Sequence, residues 1–133
     1  MTYMLDTNIC VYIINKKSQT AIARLWDALP LGVSLSSVTL AELEYGAQAS
    51  GYPQKNAVAL NQFLARIAVL PFDSEAAVEY GKVRAGLRKN GTPIGPLDML
   101  IASHAKSKGL IIVTNNAREF ARVEGLRLED WTV

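Results

Sequence analysis

The tetrapeptide Leu110-Ile111-Ile112-Val113 is apolar at every position. It lacks the polar–apolar alternation of a strand with one face in water, and so suits a central strand of a parallel sheet buried on both faces. Parallel neighbours require long crossovers, normally helical, and the chain supplies them. Short β-rich runs at Tyr3–Leu5, Val33–Leu35, Val69–Phe72 and Arg127–Trp131 alternate with helical periodicity. Ala57, Leu60, Phe63, Leu64 and Ile67 recur at i, i+3, i+4 spacing within Asn56–Ile67, and Ala76, Tyr80, Val83 and Leu87 repeat the pattern. Ser50-Gly51-Tyr52-Pro53 and Asn90-Gly91-Thr92-Pro93 interrupt it as loops. Strands alternating with helices predict a doubly wound α/β fold with a central parallel sheet. With the first strand central, right-handed crossovers lead to the order 3-2-1-4-5.

The 133 residues correspond to one domain, expected to span 1–133. A chain of this size buries enough surface to fold without a metal or disulfide staple. Its single cysteine, Cys10, cannot form an internal bridge, which fits a reducing compartment. The longest fully apolar run, Ile9–Ile14, is far short of the ~18 residues of a membrane span. Asp6 stands where a signal peptide would still be apolar. These features predict a soluble, cytoplasmic protein without a membrane association. The net charge of +2 conceals an asymmetry: residues 82–127 hold nine Lys and Arg against three Asp and Glu. That excess favours a polyanionic partner, although solvated helix faces would look the same.

In a doubly wound sheet, ligands bind beyond the carboxyl ends of the strands where the strand order reverses. Here that point lies between strands one and four, which are followed by Asp6-Thr7-Asn8 and Thr114-Asn115-Asn116. Asp6 also suits an N-cap. Glu42 lies on a helix expected over Val38–Ala49, about 40° from Val38 and beside an expected apolar stripe of Val38, Tyr45 and Ala49. Asp98 falls in the first turn of a helix opened by Pro96. Glu119 follows Asn115-Asn116 at short range. Each residue has an ordinary structural explanation as a cap, a dipole partner or a surface acid. Together, however, the four can converge on one edge of the sheet. Neighbouring carboxylates without a Lys repel one another unless a cation joins them. Oxygen donors without His or Cys select Mg2+ or Mn2+ over Zn2+. An acidic cluster beside a basic flank suits metal-assisted phosphodiester hydrolysis.

These residues carry a family resemblance. Met4-Leu5-Asp6-Thr7-Asn8, Ser36-Ser37-Val38-Thr39-Leu40-Ala41-Glu42-Leu43, Ile94-Gly95-Pro96-Leu97-Asp98 and Val113-Thr114-Asn115-Asn116-Ala117-Arg118-Glu119-Phe120 occur in this order. The pattern resembles PIN-domain ribonucleases, specifically VapC-type toxins of bacterial toxin–antitoxin pairs, over essentially the whole chain. The resemblance implies a PIN-like three-layer α/β/α fold. It implies that Asp6, Glu42 and Asp98 bind Mg2+ or Mn2+, and that the protein cleaves single-stranded loops of structured RNA, often a transfer RNA, thereby inhibiting translation. It further implies a small VapB-type antitoxin and a homodimer. The sequence has Asn116 where many PIN domains have Asp, so Glu119 is expected as the fourth acidic member. Thr7, Asn8, Thr114 and Asn116 are expected to support the carboxylates.

Other readings are less well served. The only histidine, His104, has no nucleophile motif around it, which argues against histidine-based acid–base cleavage; it and Cys10 are expected to be structural. A receiver-like signalling module needs an acidic pair after strand one and a Lys after the last central strand, and this chain has neither. A catalytically silent RNA-binding PIN module is the remaining alternative. It would bind RNA regardless of Asp6 or metal.

Overall fold

The computed structural model describes residues Met1–Val133. Strands β1 (Tyr3–Leu5), β2 (Val33–Ser36), β3 (Ala68–Leu70), β4 (Ile111–Val113) and β5 (Leu128–Glu129) form one sheet in the order β3-β2-β1-β4-β5. Every pairing is parallel. Tyr3, Met4 and Leu5 lie opposite Val33, Ser34 and Leu35 on one side and Ile111, Ile112 and Val113 on the other. The all-parallel sheet and its order match the expectation, with the strand bounds differing by at most two residues at either end.

Seven α-helices supply the crossovers: α1 (Thr7–Ile14), α2 (Gln19–Ala28), α3 (Ser37–Ala49), α4 (Pro53–Leu64), α5 (Ser74–Asn90), α6 (Pro96–Ser107) and α7 (Ala117–Phe120). The alternation of side chains along a strand divides the core between two faces. Leu5 and Val113 enter one cluster with Ile9 and Cys10 of α1, Leu25 of α2, Leu43 of α3 and Leu60 of α4. Met4 and Ile112 enter the other with Val83 and Leu87 of α5, Met99 and Ile101 of α6, and Phe120. Helices therefore cover both faces, giving the three-layer α/β/α arrangement. Full burial of each Leu or Ile contributes roughly 1.5–3 kcal/mol. Cys10 is buried in the first cluster, as expected of a core residue.

Two features differ from the sequence reading. Helix α2 has no counterpart among the expected elements, because its buried face, Ala21, Leu25 and Ala28, is written mostly in alanine. It is capped by the Ser18 hydroxyl, which accepts the Ala21 N–H at 3.1 Å. The buried face of α3 is Thr39, Leu43 and Ala47; of the expected stripe, Val38 is half-buried against the second cluster, while Tyr45 and Ala49 are exposed. Tyr45 is 75% exposed. The small side chains of Thr39 and Ala47 pack inward where α3 lies against α4 and the sheet.

Candidate active site

Asp6 is the first residue beyond β1, at the point where the strand order reverses. Its N–H continues the sheet by donating to the Val113 carbonyl at 2.9 Å. Its Oδ1 accepts the Ile9 N–H at 2.8 Å, so the residue is the N-cap of α1, as its position suggests. Capping uses one oxygen and leaves the carboxylate at the sheet edge, 2% exposed. Thr114, the first residue beyond β4, is fully buried; its hydroxyl hydrogen-bonds Asp6 and also accepts the Asn116 N–H at 2.8 Å.

Glu42 reaches the same edge from α3. The N-terminus of α3 is fixed by Ser36, whose Oγ accepts the Val38 N–H at 3.1 Å. Glu42 then lies about one and a half turns into the helix. The Thr7 hydroxyl donates to Glu42 Oε1 at 2.7 Å, tying α3 to α1. Asn8 is exposed and enters none of these hydrogen bonds, so the structure does not place it with the carboxylates it was expected to support.

Asp98 lies in the first turn of α6, after Gly95 at the N-cap and Pro96 at the first helical position. Gly95 is the residue the sequence reading passed over. A Cβ built on it would stand 3.4 Å from Asp98 Oδ2, and its N–H donates to Glu119 Oε1 at 3.0 Å. The signal for it was a Gly-Pro pair opening a helix, which marks a boundary without naming a role. Glu119 Oε2 accepts the Asn116 side-chain N–H at 2.6 Å. Asp6, Glu42, Asp98 and Glu119 thus share one edge, and Thr7, Thr114 and Asn116 bond to them or to each other.

The electrostatics follow from this crowding. Burial pushes the Asp6 carboxyl up to about 6, against the opposing hydrogen bonds of Thr114 and Ile9, and the charges of Asp98 and Glu42 add to the rise. Burial raises Asp98 as well, helped by Glu119 and Glu42. Glu119 is held low, first by Asn116 and then by Gly95. None of the four ion pairs in the chain reaches this edge. Arg122 bears on Glu119, but no Lys or Arg bears on Asp6 or Asp98, so the centre of the edge is a concentration of negative charge without a side-chain cation to balance it. In chemistry the donor set fits a hard divalent ion, since it offers carboxylate oxygens and hydroxyls with no His or Cys. In geometry the carboxylates share an edge rather than a closed cage: no three of the Asp, Glu, His and Cys side chains stand together as a ready metal site.

His104 is elsewhere, fully buried between α6 and the sheet. Its Nδ1 lies 2.8 Å from Ser36 Oγ, its ring meets Phe72 edge-on, and its Nε2 has no partner. The histidine is structural, in keeping with the sequence reading. No helix is long and apolar enough to cross a membrane.

Comparison with known proteins gives a consistent answer. The family described as PIN domain matches residues 3–126. The chain is 50% identical over 132 residues to a tRNA(fMet)-specific endonuclease VapC of Shigella flexneri, covering 99% of both chains. It is 44% identical over 131 residues to the protein of the same name from Salmonella typhimurium, covering 98% of each. Among solved structures, it resembles a chain of VapBC2 from Rickettsia felis bound to a promoter DNA fragment, with a TM-score of 0.94, 40% identity, and 98% and 99% of the two chains covered. A chain of VapBC-1 from nontypeable Haemophilus influenzae gives a TM-score of 0.91 at 36% identity, with both chains covered in full. With the switch-point carboxylates, the parallel sheet order and relatives matched from end to end, this chain belongs to the PIN-domain family, within its VapC ribonucleases.

Proposed function

We propose that the protein is a Mg2+- or Mn2+-dependent endoribonuclease acting as the toxin of a toxin–antitoxin pair. Its substrate is a single-stranded loop of a structured RNA, foremost a transfer RNA, and its cleavage halts translation. The observation that carries this reading is the Asp6 carboxylate at the switch point, raised chiefly by burial with Asp98 and Glu42 adding to it, and with no Lys or Arg set against it. The VapC endonuclease names of relatives aligned over nearly the whole chain support the RNA substrate.

In this reading Asp6, Asp98 and Glu42 hold the ion. Bound there, a divalent cation supplies positive charge to the phosphate oxygens and makes the attacking water more acidic. The chain's own residues provide placement. Asp6 is fixed by its capping bond and by Thr114, Glu42 is aimed by Thr7, and Glu119 with Asn116 supports the α6 side of the edge. Cations on α5 and α7, among them Arg88, Lys89 and Arg118, are exposed and suited to neighbouring phosphates. In-line attack by water would leave 5′-phosphate and 3′-hydroxyl ends. A VapB-type antitoxin is proposed as the partner, supported by the likeness to chains solved in VapBC complexes. A homodimer and a cytoplasmic setting complete the proposal.

The test incubates antitoxin-free protein with total transfer RNA and ribosomal RNA in Mg2+, Mn2+ or EDTA, using wild type and Asp6→Asn, and maps the ends. Discrete cuts that need both metal and Asp6 are expected. Cuts that survive EDTA and Asp6→Asn would overturn the mechanism. RNA binding without cleavage in any arm would favour the silent module.

A further inference from the structure

Glu119 differs from Asp98 and Glu42 in how its oxygens are used. Neither oxygen of Asp98 accepts a hydrogen bond from the protein, and Glu42 commits only Oε1, to Thr7. Glu119 commits both: Oε1 to the Gly95 N–H at 3.0 Å and Oε2 to the Asn116 amide at 2.6 Å. A carboxylate that ligates a metal typically gives one oxygen to the ion and is steadied by donors on the rest of the group. Turning either Glu119 oxygen toward an ion would strip an acceptor from a backbone or side-chain N–H.

The donors show what this arrangement does instead. Gly95 is the N-cap of α6, three residues before Asp98, and the Asp98 carboxylate lies against it. The segment Gly91–Gly95 joins α5 to α6 and crosses the edge of the site. A second bond reaches it from the same side, since Arg122 Nη1 donates to the Pro93 carbonyl at 2.8 Å. Asn116 is itself fixed, its N–H donating to Thr114 Oγ1, whose hydroxyl reaches Asp6. A continuous path therefore runs from Asp6 through Thr114, Asn116 and Glu119 to Gly95, and ends at Asp98.

We propose that Glu119 is a positioning residue and not an ion ligand: with Asn116 it clamps the Gly95 end of α6 and so sets where Asp98 stands relative to Asp6. This deepens the nuclease reading above and rests on it for the role of Asp98. It also explains why an asparagine serves at position 116. An amide can donate to Glu119, whereas an aspartate there would set two carboxylates against each other.

The experiment compares wild type, Glu119→Gln and Glu119→Ala in the full chain, after checking by thermal melting that each is folded. Three quantities are measured: Mn2+ affinity by calorimetry with the metal alone, amide exchange at Gly95 by NMR, and kcat and KM for RNA cleavage. Glutamine retains an acceptor for Gly95, and Asn116 can turn its amide to meet it. Glu119→Gln should therefore hold Mn2+ affinity within about twofold, leave Gly95 protected and lose less kcat than Glu119→Ala. Glu119→Ala should speed Gly95 exchange and lower kcat by about 10–100-fold at nearly unchanged KM. A loss of Mn2+ affinity of about tenfold or more in Glu119→Gln, with Gly95 still protected, would overturn the proposal and make Glu119 a ligand. Unaltered exchange in Glu119→Ala would overturn it too. If wild type cuts no RNA, the nuclease reading fails, while Gly95 exchange still decides whether the clamp exists.

Discussion

The hydroxyl of Thr7 donates to Glu42 Oε1 at 2.7 Å, joining the helix that follows β1 to the helix that follows β2. The two residues are 35 apart in sequence. The bond aims a half-buried glutamate that no Lys or Arg engages. Thr7→Val keeps the shape and removes the donor, and should lower kcat by about 10–100-fold with little change in melting temperature. Thr7→Ser should retain most of the activity. Steady-state kinetics on a mapped RNA site checks both, and equal rates for Thr7→Val and wild type would sink the idea that this bond matters.

Asp6 carries a stability cost that its function would require. Its folded carboxyl titrates at about 6, above the usual aspartate range near 4, so between those values the folded state binds more protons than the unfolded state. This group therefore opposes folding as pH rises through 6. Asp6→Asn caps α1 equally well and removes the charge. It should raise the stability of the metal-free protein at pH 7.5, by at most about 3 kcal/mol, while abolishing cleavage. The gain should vanish near pH 4. Denaturant melts at the two pH values in EDTA make the comparison, and no gain at pH 7.5 would contradict the burial argument.

His104 acts in the opposite direction. Buried against Phe72 with Nε2 unpartnered, it is held below the ordinary histidine range chiefly by desolvation, with Lys108 adding to the depression and Asp73 opposing it. Below about pH 6.5 the unfolded chain takes up a proton that the folded chain resists, so this group's contribution to stability falls as pH falls. The slope is at most about 1.4 kcal/mol per pH unit. His104→Gln should be less stable than wild type at pH 7.5, with a smaller deficit at pH 5. A deficit that does not shrink would show that folded His104 takes up its proton as readily as the unfolded chain does, against the burial argument.

Arg88 and Lys89 close the last turn of α5, both exposed and outside every ion pair, a short loop away from Asp98. If they hold RNA phosphates, replacing both with Gln in an Asp6→Asn background should weaken RNA binding. The slope of log affinity against log salt should fall by about 1.4–1.8. Fluorescence anisotropy across a salt series measures this, and an unchanged slope would assign the two cations to solvent.

The sheet was legible because β1, β2 and β4 are short apolar runs separated by crossovers of helical length, and that pattern admits few topologies. With Tyr3–Leu5 central, the order follows from right-handed crossovers. The positions of Asp6 and Asp98 were legible for a similar reason, as each sits beside a strand end or a Gly-Pro helix start. The face of α3 was only partly so, because hydrophobic periodicity weighs Tyr45 above Thr39 and Ala47, whereas Tyr45 faces solvent and the smaller pair is buried. Helix α2 was missed on the same account. Gly95 was invisible because its contribution is a backbone N–H, which no residue type advertises. Asn8 looked equivalent to Thr7 in sequence, yet one step around the first turn of α1 turns it to solvent.

The order β3-β2-β1-β4-β5 also has a consequence for a growing chain. Strand β1 is made first, but its neighbour β4 lies more than a hundred residues later, and Thr114 and Glu119 follow β4. Until that stretch has left the ribosome, Asp6 lacks both its Thr114 partner and the wall of the site. Long-range parallel pairing of this kind forms late and cooperatively. A chain built this way cannot assemble its full site until its own synthesis is almost complete.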